Sequence, residues 1–206
     1  MQNFTFTIDD LGFHGRDLSR PECVCCLESG VVVVSNGDGG VSRIDQDGTT
    51  RHITAPEGTH KPMTNGFAIT QQGDFLLADL SSEGGVWKLR ANGTCEPFIT
   101  EVDGETLPST NFVGVDAMNR VWATVSTRHS PRTLAYRKHI ADGYIVLSDE
   151  RGTRIVARKP SGSNRLSTVP PMPPITPCIN RVPVPLLIAS RPPSDRPMAS
   201  PSRSIQ

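Results

Sequence analysis

The chain has 206 residues, 36% of them hydrophobic and 20% charged, and its 21 Lys+Arg balance its 21 Asp+Glu. The length allows one large domain or a smaller one with a tail, and no stretch approaches the roughly 20 consecutive apolar residues that cross a bilayer, so no membrane partner is expected. Zero net charge without a basic stripe argues against nucleic acid as a partner, because that affinity comes largely from phosphate neutralisation.

The balance hides two unlike pieces. Residues 1–157 carry 14 basic and 20 acidic side chains, a net of −6; residues 158–206 carry 7 and 1, a net of +6. Twelve of the 18 prolines fall in the last 49 residues, and 17 of the 18 glycines precede them. This predicts a folded domain over 1–157 and a separate tail over 158–206.

In chain order, residues 1–8 alternate like a strand and carry no basic-then-apolar leader. The five cysteines (Cys23, Cys25, Cys26, Cys95 and Cys178) are an odd number and do not look like a secreted disulfide scaffold, so a cytoplasmic location is predicted. Cys23, Cys25 and Cys26 lack the second spaced ligand pair that tetrahedral zinc usually uses, and they read as ordinary buried or half-buried thiols.

Short β-branched runs follow, separated by glycine, aspartate and asparagine turns: 31–34, 41–44 and 49–53, with 36–40 read as a hairpin turn. No sustained 3.6-residue apolar period occurs, which argues against a helical domain. The runs recur as a unit. Residues 21–34 line up with 64–77 and with 110–123, placing a shared turn at Gly30, Gly73 and Asn119. A second element lines up 40–49, 85–94 and 143–153, with turn glycines at Gly48, Gly93 and Gly152 and an insertion over 126–140. A period near 45 with about four strands per unit predicts propeller blades, each of which needs its neighbours to cover its apolar faces. A two-sheet sandwich is the competing architecture, but it gives no reason for turns to recur in register.

At these repeats the sequence resembles the family of gluconolactonase, senescence marker protein (regucalcin) and luciferin-regenerating enzyme. The likeness is carried by Arg20-Pro21-Glu22-Cys23-Val24, by Thr64-Asn65-Gly66-Phe67-Ala68 with 73–79, and by Thr110-Asn111-Phe112-Val113-Gly114-Val115-Asp116 with 119–126. It covers roughly residues 14–157. The resemblance implies an all-β chain comprising about three blades of a six-bladed β-propeller, with a divalent cation in the central tunnel and a sugar-lactone substrate. Glu22 falls on the family's first metal-binding glutamate, and Asn111 on the asparagine of an Asn-Asp pair whose aspartate is Phe112 here. Asn65 falls near the tunnel mouth as a substrate contact. Ser109 stands where some members place a substrate-holding arginine.

Calcium is the first expectation for the cation, with zinc, magnesium or manganese as alternatives. A hard cation takes carboxylate and amide oxygens and would polarise a lactone carbonyl; no general base is identifiable. Against these assignments stand ordinary structural roles: a solvated glutamate at a strand start, and asparagines that form turns. Arg128 and His129, in the insertion, are candidate substrate contacts of a loop overhanging the tunnel, though a charged surface loop explains them as well. His14, His52, His60 and His139 are expected to stand alone.

After Ala157 the family pattern stops. A Pro-, Ser- and Arg-rich tail without aromatics is predicted to be disordered. It is either a genuine extension that docks to proline-recognition domains or an out-of-frame reading of further blades. The expected activity is a metal-dependent lactonase, a carboxylic ester hydrolase impaired by loss of blades. The alternatives are a non-catalytic propeller fragment and an interaction scaffold.

Overall fold

The computed structural model describes residues 7–158. The predicted disordered tail lies outside the described residues except for Arg158, and so does most of the alternating run at the start, whose end forms a 3-10 turn over Ile8–Asp10.

Three four-stranded antiparallel sheets follow one another, each a simple meander. The first contains β1 (Val24–Cys26), β2 (Val32–Asn36), β3 (Gly40–Ile44) and β4 (Thr50–Thr54). The second contains β5 (Thr64–Ile69), β6 (Phe75–Asp79), β7 (Val86–Leu89) and β8 (Cys95–Ile99). A two-stranded ribbon, β9 (Glu101–Val102) with β10 (Glu105–Thr106), leads into the third. That sheet contains β11 (Thr110–Val115), β12 (Val121–Val125), β13 (Tyr144–Asp149) and β14 (Gly152–Arg158). The 126–140 insertion is the β12–β13 loop and holds a 3-10 turn over Arg132–Ala135.

The repeat in the sequence is a repeat in backbone geometry. Gly30, Gly73 and Asn119 all lie at positive φ (77°, 84° and 59°). Each donates its N–H to the carbonyl three residues back, Leu27, Thr70 and Asp116 respectively. Glycine adopts that left-handed position freely, and asparagine does so more readily than most other residues, so these residue types recur in register.

The core separates blades from a sandwich. One apolar cluster lies between the first and second sheets and includes Cys25, Val33, Val41, Phe67, Phe75 and Leu77. The other lies between the second and third and includes Ala68, Leu76, Ala78, Val113, Ala123 and Val146. Side chains on a strand alternate between its faces, so in β6 Phe75 and Leu77 serve one cluster while Leu76 and Ala78 serve the other. The five residues of β6 are all buried for this reason. The middle blade is covered on both faces by its neighbours, as radial stacking requires.

Candidate site at the starts of the first strands

Antiparallel meanders put the starts of β1, β5 and β11 and the ends of β2, β6 and β12 at one end of the molecule. Glu22, Asn65 and Asn111 each stand eight residues before their repeat's turn residue, so they occupy equivalent positions at that end. The first strands of adjacent blades also lie close together. The thiol of Cys23 lies 3.9 Å from the Phe67 carbonyl. A Cβ at Gly66 would lie 2.5 Å from the Phe112 ring and 2.9 Å from its Cα, so β5 and β11 approach as closely as they do only because residue 66 has no side chain.

The three predicted residues come together through a fourth. The Arg20 guanidinium donates from Nε to Glu22 Oε1 at 3.1 Å and from Nη2 to Asn65 Oδ1 at 3.1 Å. Asn65 Nδ2 donates to the Asn111 carbonyl at 2.9 Å and to Asn111 Oδ1 at 3.3 Å. One polar string thus crosses three blades. Its foundation is Ser35, fully buried at the end of β2. Ser35 Oγ accepts from the N–H groups of Glu22 (2.9 Å) and Cys23 (3.0 Å) and donates to the Arg20 carbonyl (3.3 Å). The Glu22 N–H also reaches the Arg20 carbonyl at 2.9 Å, so the chain turns tightly about Pro21 and places Arg20 and Glu22 side by side. Glu22 is half exposed and Arg20 a third exposed. Phe112 packs on the Gly66 backbone. Ser109 is buried, and its hydroxyl donates to the Ser81 carbonyl.

Arg128 and His129 lie in a loop at the same end but join a different set. Arg128 Nη1 donates to Glu105 Oε2 at 2.7 Å, its N–H goes to Asp142, and its guanidinium stacks 4.6 Å above the Tyr144 ring. His129 Nε2 faces Asp142 Oδ2 at 3.8 Å. Neither is bonded to the Glu22–Asn65–Asn111 string.

Two histidines expected to stand alone do not. His52 Nδ1 lies 2.8 Å from Ser42 Oγ and 3.3 Å from Asn36 Nδ2. His60 faces Asp79 Oδ2 and Glu83 Oε2, each at 2.8 Å, and its ring lies 4.2 Å from Trp87. Spacings of 10 to 23 residues gave no local sign of these pairs; the strand register brings them together. Asp79 is fully buried and takes three further bonds, from the N–H groups of Met63 and Ser81 and the Ser81 hydroxyl. The hairpin reading of 36–40 holds, with the Asp38 N–H on Asn36 Oδ1 at 2.8 Å. In β1, Cys25 is buried while Cys26 is exposed on the opposite face, so the adjacent pair cannot converge on one metal. Among the described residues no group of three or more His, Cys, Asp or Glu side chains is placed to hold a metal ion. None of them forms a helix long and apolar enough to cross a membrane.

No family model and no curated protein matches the chain. Among solved structures, a gluconolactonase from Xanthomonas campestris superposes with a TM-score of 0.50 over 68% of this chain and 47% of its own, at 18% identity. A second structure, assigned as a gluconolactonase, superposes with a TM-score of 0.52 over 69% of this chain and 50% of its own, at 15% identity. The chain thus spans about half the length of the structures it matches, and the likeness is one of fold: this is a partial β-propeller with the strand arrangement found in gluconolactonases.

Proposed function

We propose that this chain is a gluconolactonase-like hydrolase of small sugar lactones, assisted by a divalent cation held at Glu22 and Asn111. One observation carries the reading: on a fold shared with gluconolactonases, the side chains at equivalent positions of three successive blades meet in one hydrogen-bonded string. The donor chemistry fits a hard cation, because a carboxylate and amide oxygens are what calcium takes, with zinc, magnesium or manganese as alternatives. A positive group already sits among them, since the Arg20 guanidinium bonds both Glu22 and Asn65. When bound, the cation would supply Lewis-acid polarisation of a lactone carbonyl.

The remaining roles belong to the chain's own groups. Asn65 orients the Asn111 side chain through the contact of its Nδ2 with Oδ1, is itself fixed by a second contact with the Asn111 backbone carbonyl, and would meet substrate with its amide. Arg128 and His129, on the long loop at the same end, would meet the sugar hydroxyls. Phe112 and Gly66 give the floor an apolar, close-packed base that fixes the spacing of Asn65 and Asn111. Among the described residues no second carboxylate and no imidazole bonds to this string, so no general base is assigned and turnover is proposed to be low. The same observation, with Phe112 in place of an aspartate, favours a second reading in which the blades are a non-catalytic scaffold. A cytoplasmic setting is part of the proposal, supported by the odd number of cysteines in the sequence and by Cys26 and Cys95 as free thiols.

The test is hydrolysis of a sugar δ-lactone by the full chain, followed by acid release. The rate should fall at least about tenfold with a chelator and with Glu22→Gln, the scale seen when a metal's immediate support is removed. Hydrolysis indifferent to both would overturn the cation reading, and no hydrolysis at any cation concentration would favour the scaffold.

A further inference from the structure

Arg20 adopts a conformation that its sequence neighbours disfavour. Its φ is +49°, in the left-handed region that side-chain-bearing residues seldom enter. It also precedes Pro21, a position pushed toward extended backbone by the proline ring. Such an outlier persists only where surrounding structure imposes it, and it points to function. Here the imposing contacts are the buried Ser35 hydroxyl on the Arg20 carbonyl and the Gly37 N–H on the Ser19 carbonyl. Gly37 leaves room for the side chain's start: a Cβ there would lie 3.1 Å from Arg20 Cβ.

The result is a guanidinium set between an oxygen of Glu22, a proposed cation ligand, and the amide oxygen of Asn65, the proposed substrate contact next to the other ligand, Asn111. Its Nε takes Glu22 Oε1 and its Nη2 takes Asn65 Oδ1. Guanidinium is charged at any working pH, and at this separation two positive groups on one carboxylate repel. A divalent cation can therefore use Glu22 Oε1 only when Arg20 lets go, and it meets the guanidinium's repulsion at Oε2 as long as Arg20 stays. Arg20 can leave at little cost, because a third of its side chain already faces solvent.

We propose that Arg20 is a built-in competitor for the cation: its guanidinium closes the site by occupying Glu22 and Asn65, and a divalent cation binds by displacing it. This rests on the proposed function, of which it is a regulatory refinement. The wild-type site is then weak and fills only at high cation concentration, and removing the guanidinium tightens it.

Calcium titration of the full chain by isothermal calorimetry tests this without any turnover assay. Arg20→Gly suits the backbone, since glycine is at ease at positive φ, and Arg20→Asn is a second variant compatible with that region. Both should bind calcium on the order of tenfold more tightly than wild type, as expected from removal of one nearby positive charge. Arg20→Lys, which keeps the charge, should stay near wild type, and adding Glu22→Gln to Arg20→Gly should erase the gain. Equal or weaker binding by both Arg20→Gly and Arg20→Asn overturns the competitor role while leaving a cation site in place. No calcium binding by wild type or either variant overturns the cation reading together with it.

Discussion

The two ends of β11 use polar groups in opposite ways. Past its last residue, Asp116 is 5% exposed and accepts four hydrogen bonds: Oδ1 from the N–H groups of Met118 and Arg120, Oδ2 from Arg120 Nε at 2.7 Å and Trp122 Nε1 at 2.9 Å. At the other end, joined to Asn111 through Arg20 and Asn65, the Glu22 carboxylate is 48% exposed and is held by the single contact from Arg20 to Oε1. An ionised carboxylate offers about four acceptor sites. Asp116 has committed all of them to the protein, whereas Glu22 keeps most of them open. Asp79 shows that the end of the molecule does not decide this, since it lies at the same end as Glu22 and is as fully bonded as Asp116. Spare bonding capacity, more than residue type or position, separates a group that can take a ligand from one that fixes a turn.

The largest expected effect follows from the saturated end. Asp116→Asn turns an amide N–H toward the Arg120 and Trp122 donors and removes the buried negative charge, and it should lower the unfolding free energy by about 3 kcal/mol. Burial alone would push the Asp116 carboxyl up, but the hydrogen bonds from Trp122, Arg120 and Met118 outweigh it and hold the group below its ordinary value of 3.8. A depressed folded-state pKa means stability that is present above the ordinary value and lost as pH falls through the depressed one. The gap between wild type and Asp116→Asn in urea should therefore be constant from neutral pH down to about pH 5 and shrink below about pH 4. A gap that grew on acidification would break the assignment of Asp116 as an ionised structural anchor.

Next in size is the floor between the two asparagines. Gly66→Ala places a methyl 2.9 Å from the Phe112 Cα and 2.5 Å from its ring. The ring can rotate, but the backbone must shift, so the cost should be about 1–3 kcal/mol. Phe112→Ala in the same chain should recover only part of it, because the new methyl still meets the backbone of residue 112; full recovery would show that the approach of β5 and β11 is set by the ring alone. The double-mutant cycle in urea reads this directly.

Much of this architecture was legible from the chain because it is written three times. The left-handed turn residue and the strand before it recur in register, so the equivalence of Glu22, Asn65 and Asn111 follows from counting. Their meeting is then a consequence of stacking like blades side by side. What the sequence did not reveal lacks a repeated partner. Arg20 reaches Asn65 across 45 residues from a backbone conformation that Arg-Pro disfavours. His60 finds Asp79 through the pairing of Thr64 with Asp79 that brings the chain past it. The inserted loop has no counterpart in the other blades, and the attachment of Arg128 to Glu105 and Tyr144 depends on tertiary placement that no local pattern encodes.

The smallest effect is the one that completes the contrast. Glu22→Gln removes a charge whose one ionic partner is 3.1 Å away and itself a third exposed. Exposed pairs of this kind contribute about 0–1 kcal/mol, because water screens them and two long side chains must be ordered to form them. The Glu22 backbone N–H is satisfied by Ser35 whatever the side chain is, and a glutamine Oε1 can still accept from Arg20. In cation-free buffer Glu22→Gln should therefore change the unfolding free energy by no more than about 0.5 kcal/mol, with an unchanged urea slope. A loss comparable with that of Asp116→Asn would mean that Glu22 anchors the turn before β1 as Asp116 anchors the one after β11, and the carboxylate would no longer be free for a ligand. A near-zero change, beside a large one at Asp116, leaves Glu22 as a charge that folding does not need.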